Sequence, residues 1–377
     1  MNELGLYIHI PFCKSKCNYC DFTSFANKEE LVQKYVECLT EEIRQKARKD
    51  ELIETIYIGG GTPSYIEPKY IEKILATIEA NFNIDENVEI SIEVNPGTAT
   101  IEKIEEYYQL GINRLSIGIQ STNDDILKKI GRIHTYKQFL DTIEIAKKVG
   151  FTNINADIMI GLPGQTIYDV EDTIDKLLKL ELPHISVYSL IVEPNTKIEK
   201  MLEDGKISLP DEEIERYMYW FAKRKLEGSG YIHYEISNFA KPSFRCQHNI
   251  DCWNQKEYLG FGLAAASYEN GIRYKNIDCL QKYIKNIEEN ESYKNIRIDE
   301  KQDKISQMNE YMLLGLRMIK GIKISKFKSK FSENPYEIYR KQLDKLLQEE
   351  LIEIDTDNIR LSKKGLDLAN IVWEEFI

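Results

Sequence analysis

Three thiols stand within the first twenty residues, Cys13, Cys17 and Cys20, spaced C-x3-C-x2-C just after the apolar run Leu4–Ile10. An odd, crowded set cannot close into disulfides among itself, but one loop can present all three thiolates to a single metal centre. A [4Fe-4S] cubane is commonly held by four Cys thiolates. With three, one iron keeps an open position where a substrate or cosubstrate can bind. Two plainer readings stand beside this one. A structural zinc site wants four N/S ligands; His9 or Asp21 could be the fourth, although no second knuckle lies nearby. Inert buried thiols are the other reading, since Cys is among the most buried residue types.

Something must hold that loop in place. Apolar, β-branched runs recur at Leu4–Ile10, Thr55–Gly60, Val88–Asn95, Arg114–Gln120, Asn153–Ile160 and His184–Val192. Segments of helical period, such as Pro68–Asn81, Thr135–Val149 and Thr166–Leu180, lie between them. Strand-then-helix repetition implies parallel strands with right-handed crossovers. Six such units fit an incomplete β/α barrel or an open doubly wound sheet. In a barrel, active groups gather at the C-terminal strand ends, and the unusual residues sit there: the cysteine loop, Gly59-Gly60-Gly61-Thr62-Pro63, Glu93, Gln120 and Asp157. The glycine run lets backbone approach a ligand closely. Its plain reading is a tight turn, and it is not a P-loop, since no Lys-Ser/Thr pair follows.

Tyr7-x-His9-Ile10-Pro11-Phe12-Cys13-x3-Cys17-x2-Cys20 resembles the cluster loop of radical S-adenosylmethionine (SAM) proteins. More narrowly it is similar to the branch containing the oxygen-independent coproporphyrinogen III dehydrogenase and related heme chaperones, along nearly the whole chain. The resemblance implies an α/β fold: a partial (β/α)6 TIM-like barrel followed by a small C-terminal winged-helix-like domain. It implies a [4Fe-4S] cluster on Cys13, Cys17 and Cys20 with S-adenosyl-L-methionine on the fourth iron. SAM contacts are carried over to Tyr7, Gly60, Gly61, Thr62, Glu93, Gln120, Arg132 and Asp157. The residue types agree with such contacts, since carboxylates at Glu93 and Asp157 suit cationic or hydroxyl groups and a forked guanidinium at Arg132 suits a carboxylate. The bland alternatives are an exposed strand residue for Glu93 and a solvated helix end for Arg132. The cofactor does the hard chemistry while the barrel excludes water and aims it.

Two features separate the dehydrogenase from the chaperones. The dehydrogenase has a fourth cysteine two positions after the third, where this chain has Phe22, and an N-terminal extension of several dozen residues, where this chain has almost none before Cys13. Both favour a heme chaperone, with oxidative decarboxylation of coproporphyrinogen III as the alternative. The chaperones show H-N-x-x-Y-W where this chain reads His248-Asn249-Ile250-Asp251-Cys252-Trp253, with Cys252 replacing the tyrosine. His and Cys thiolate both ligate heme; the residues alone favour a packed core histidine, and the resemblance makes His248 the expected heme ligand. The competing readings are a hydrogen-bonded core histidine with Trp253 as anchor, and a zinc site from Cys246, His248 and Cys252 that is one ligand short. The small-residue stretch Tyr258–Tyr268 could line a porphyrin pocket or pack tightly on the barrel.

From about Lys304 helices precede a hairpin at Leu351–Leu361, the pattern of a winged helix. Tyr311–Ser332 has no acid and six cations, Arg317, Lys320, Lys323, Lys326, Lys328 and Lys330. A solvated face is the plain reading; docking to an anionic membrane surface or an acidic apoprotein is the sharper one. The expected organisation is residues 1–240 for the barrel, 241–300 for a connecting segment with the heme-related loop, and 301–377 for the C-terminal domain. The 377 residues carry 50 basic and 62 acidic groups, a net −12, which argues against a broad nucleic-acid-binding surface. No 18-residue apolar run is present, no basic n-region precedes the first apolar run, and the cysteines fit a reducing compartment. The expected setting is cytoplasmic, and the expected partners are heme and an acceptor apo-haemoprotein, for instance a membrane-associated respiratory protein, with no nucleic acid.

Overall fold

In the computed structural model, which describes residues 3–377, period-two alternation along the strands separates two chemistries. In β1 (Glu3–Ile10) the residues Leu4, Leu6, Ile8 and Ile10 are buried outward against helices, while Gly5, Tyr7 and His9 face the other way. The same split recurs in β2 (Leu52–Gly60), β3 (Asn83–Val94), β4 (Arg114–Gln120), β5 (Asn153–Ile160) and β6 (His184–Ser189). Ile56, Ile58, Ile92, Leu115, Ile117, Ile154, Ile158, Ile185 and Val187 belong to the apolar core. The alternate positions carry Tyr57, Glu93, Ser116, Asn155, Asp157 and Ser186.

These six strands are parallel and paired in sequence order. Register places Glu93 beside Ser116, and Asp157 between Gly118 and Ser186, so the inward polar groups form rows. Helices between the strands are capped by the sequence itself. Thr135 with Gln138, and Thr166 with Asp169, make capping boxes at the starts of Tyr136–Val149 and Ile167–Lys179, a reciprocal satisfaction of orphan N–H groups. The first helix, Val32–Gln45, buries Tyr35, Val36, Leu39 and Ile43, with Cys38 in the same core.

The sheet does not stop at six strands. β7 (Ile232–Glu235) and β8 (Asn238–Ala240) form an antiparallel hairpin on β6. On the other side β9 (Tyr258–Phe261) lies parallel to β1, and β10 (Ala266–Glu269), β11 (Ile272–Asn276) and β12 (Ile296–Lys301) continue antiparallel. Among the described residues the sheet therefore has twelve strands in linear order, the six parallel ones at its middle forming the partial barrel. Residues 241–300, expected to connect two domains, contribute four of those strands. Tyr258–Tyr268 takes its packing role: a side chain at Gly260 would collide with the Ala266 carbonyl, and one at Gly262, held at positive φ, with the Tyr35 hydroxyl.

A second apolar core runs from Met308 to Phe376. Helices Lys304–Gly315, Ile324–Phe331 and Arg340–Gln348 surround a three-stranded sheet in the order β13 (Ile322–Lys323), β15 (Asn358–Leu361), β14 (Ile352–Ile354), a winged-helix arrangement. Two of its six clustered cations reach across to residues 253–255. Arg317 stacks between Trp253 and Trp373, 4.3 and 5.1 Å from the ring centres, and Lys330 donates to the Gln255 carbonyl at 3.0 Å. No helix among the described residues is long and apolar enough to cross a membrane.

Candidate functional site

Each end of the cysteine loop is tied down. His9 donates from Nε2 to the Thr23 carbonyl at 2.9 Å and accepts at Nδ1 from the Tyr7 hydroxyl at 3.0 Å. Both ring nitrogens are used, which removes His9 as a fourth metal ligand. Asn18 fastens the middle of the loop, through backbone and side chain, to the Ile130 and Lys129 carbonyls. The turn there needs Gly131 at φ +77°, where a Cβ would stand 2.8 Å from Asn18.

Cys13, Cys17 and Cys20 open on one cavity of about 420 Å³, with Gly60, Gly61, Thr62, Glu93, Gln120, Arg132 and Asp157 also in its wall. That is room for one cosubstrate-sized ligand. Among the described residues no three His, Cys, Asp or Glu groups converge on the point where a single ion would sit; the thiols instead face the cavity from separate parts of the loop. The chemistry of the donor set fits a cluster. Thr62 donates its hydroxyl to Cys13 Sγ at 3.4 Å and Arg132 Nη1 approaches Cys17 Sγ at 3.6 Å. A Cβ at Gly61 would press on Cys13 Sγ at 3.0 Å, so the loop comes this close because the residue is glycine. Burial raises the thiols of Cys13 and Cys20 above their ordinary value.

Opposite the thiols lie two buried carboxylates. Glu93 accepts from the Tyr57 hydroxyl and the Gly60 N–H, both at 3.1 Å. Burial, reinforced by the charge of Asp157, nevertheless pushes it up to about 7. Asp157 is raised by burial as well, against donors from Ser186, Asn155 and Ser116. Two carboxylates whose ionisation is opposed by burial in one cavity are poised to receive a cation. Gln120 ends β4 at φ +63° with its Oε1 unpaired, and Arg132 Nε is unpaired too. Strain and orphaned polar atoms concentrate where a ligand completes a site. Arg132 otherwise donates to the Gly118 carbonyl at 2.6 Å.

Two expected residues stand elsewhere. Tyr7 lies one step below the cavity, stacked on Tyr57 with ring centres 6.4 Å apart. His248 is the second of them. It is 6% exposed, bonded through Nδ1 to the Thr55 hydroxyl at 2.9 Å, and stacked on Tyr57 at 5.2 Å. The helix Gln247–Trp253 plugs the barrel floor, its first N–H groups capped by Glu89 from β3 at 2.9 and 3.1 Å. The ring packs against Gly5 of β1 and Thr55 of β2. Cys246, fully buried, points its thiol at Glu89, 3.6 Å away.

Sequence reasoning missed Tyr57, Ser116, Met159 and Tyr188 in the cavity wall. Counting by twos from Gly59, Gly118, Asp157 and Ser186 would have found them. The rim is apolar: Phe22 is 63% and Ile191 68% exposed beside the opening, next to Tyr188.

Residues 7–177 match the model of the radical SAM superfamily, and residues 302–368 that of the HemN C-terminal domain. The chain is 39% identical to the heme chaperone HemW of Lactococcus lactis, over 98% of this chain and 96% of that protein. It is 36% identical to HemW of Bacillus subtilis over 98% of each. The solved structure of coproporphyrinogen III oxidase (HemN) from Escherichia coli, a radical SAM enzyme, superposes with a TM-score of 0.87 at 22% identity, covering all of this chain and 90% of that one. That last likeness speaks for the fold.

Proposed function

Because the chain belongs to the HemW family within the radical SAM superfamily, we propose that it binds heme and hands it to an acceptor haemoprotein in the cytoplasm. The carrying observation is one cavity that gathers three thiols and two buried carboxylates beneath an apolar rim. Cys13, Cys17 and Cys20 would hold a [4Fe-4S] cluster. Glu93 and Asp157 would receive the cationic parts of SAM, with Gly60, Gly61 and Thr62 offering backbone and hydroxyl contacts and Gln120 an unpaired acceptor. Arg132 would fix the cluster side of the site through Cys17. When bound, the cluster would supply one-electron reducing chemistry to SAM; the protein's part is to exclude water, to offer Glu93 and Asp157 as carboxylates that a cation would ionise, and to present the three thiols to the cavity.

Phe22, Tyr188 and Ile191 form the apolar shelf against which a flat porphyrin would lie. Lys320, Lys323, Lys326 and Lys328 remain exposed on the C-terminal unit, and an acidic acceptor, soluble or at an anionic membrane surface, suits them. The test is an anaerobic haemin titration of the cluster-loaded protein followed by visible absorption, with coproporphyrinogen III turnover measured on the same preparation. Saturation at one heme per chain with no product supports the chaperone. Decarboxylated product, or heme that adheres without stoichiometry, overturns it.

A further inference from the structure

Beneath the cavity, polar side chains continue in an unbroken line to the barrel floor. Asp157, in the cavity wall, accepts from Asn155 Nδ2 at 2.8 Å. Asn155 Oδ1 lies 2.6 Å from His184 Nδ1, and His184 Nε2 lies 2.8 Å from the Tyr234 hydroxyl. That hydroxyl accepts from the backbone N–H of Cys246 at 3.3 Å, the residue that precedes the helix Gln247–Trp253.

The partners fix every donor. An amide oxygen can only accept, so His184 carries its proton on Nδ1, and Nε2 must accept from Tyr234. Burial and the nearby Arg114 charge hold the ring neutral, as this tautomer requires. The result is a one-way series, Cys246 N–H to Tyr234 O–H to His184 to Asn155 to the Asp157 carboxylate, in which each bond polarises the next. A shorter second path reaches the same helix: Glu93 accepts from Tyr57, whose ring stacks on His248. Both cavity carboxylates thus communicate with one seven-residue helix, and that helix keeps His248 covered.

We propose that His184 and Tyr234 are positioning residues through which the charge on Asp157 sets how firmly the helix Gln247–Trp253 is seated in the barrel floor. A cation in the cavity stabilises the ionised carboxylate, strengthens the series as acceptor, and tightens the helix start. Protonation of Asp157 weakens the series and loosens the helix start. This rests on the SAM site proposed above. Two sites joined by one bistable element must show reciprocal coupling.

The experiment is amide hydrogen exchange of the segment 246–253 in anaerobic, cluster-loaded protein, with and without SAM, for wild type and Tyr234→Phe, which keeps the ring and removes the hydroxyl. Calorimetry measures SAM affinity on the same samples, and the helix Tyr136–Val149 serves as internal reference. SAM should slow exchange at 246–253 about fivefold in wild type and leave it nearly unchanged in Tyr234→Phe, whose SAM affinity should fall by about the same factor. Equal protection in both proteins, or SAM binding to wild type with no protection there, overturns the coupling. The wild-type arm decides this even where the variant folds poorly. Calorimetry that finds no SAM binding overturns the cavity reading itself, and the coupling with it, by a separate readout.

Discussion

The mouth and the floor of the barrel are lined by the same residue classes yet treat them differently. At the floor, Thr55, Asn155, His184, Ser186, Tyr234 and His248 pair with one another, and a helix seals them. At the mouth, Gln120 and Arg132 keep unpaired atoms, Gln120 sits at positive φ, and Glu93 resists ionisation. A paired polar set specifies structure, whereas an unpaired one in a cavity waits for a partner. Arg114 breaks the pattern: it is 2% exposed at the floor with Nε and Nη1 unpaired.

The largest effect that would sharpen this contrast is Cys17→Ala. Cluster reconstitution should fail, read as loss of iron and of visible charge-transfer absorption, while thermal unfolding of the metal-free protein stays unchanged. Asn155→Ala makes the opposite demand. It strands His184, Ser186 and Ser116 in the buried row, so chemical denaturation should show about 3 kcal/mol lost, with the cluster still assembling. Comparable losses of cluster in both variants would erase the distinction between mouth and floor.

A smaller effect lies in pH. A cation binds ionised Glu93, whose proton leaves at about 7 in the empty protein. SAM affinity should therefore fall roughly tenfold per pH unit below pH 7, and Glu93→Gln should flatten the slope. The sign for folding runs the other way. The unfolded carboxyl ionises near 4.5 and the folded one later, so this group lowers stability as pH climbs between those values and has no further effect above them. The smallest effect should be Tyr7→Phe. Its hydroxyl serves His9 and is not in the cavity wall, so SAM affinity should change less than about threefold. A tenfold loss would move Tyr7 into the site.

Much of this was legible in the residues. β4 and β5 begin and end where the apolar runs at Arg114–Gln120 and Asn153–Ile160 do, because turn residues bound them. The cysteine spacing and the glycine run pointed to one cavity because close approach and thiolate ligation each demand specific residue types. What stayed hidden was the direction of the polar face. Alternation at Ser116-Ile117-Gly118 or Asn155-Ala156-Asp157 predicts one polar side, and on an isolated strand that side would be wet; here the curved sheet turns it inward. The surroundings of His248 stayed hidden for a related reason. Local spacing shows ligand types, but only the fold shows that Thr55 and Tyr57, nearly two hundred residues earlier, have already claimed the ring.

β1, which feeds the cysteine loop, has β2 on one side and β9 on the other, and β9 ends at Phe261. During synthesis the N-terminal strand gains its second neighbour only after some 250 further residues have emerged, roughly 12–50 s at 5–20 residues per second. Throughout that interval the cysteine loop hangs from a half-paired strand on the nascent chain. The strand that carries the loop is thus completed by one of the last parts of the sheet to be made.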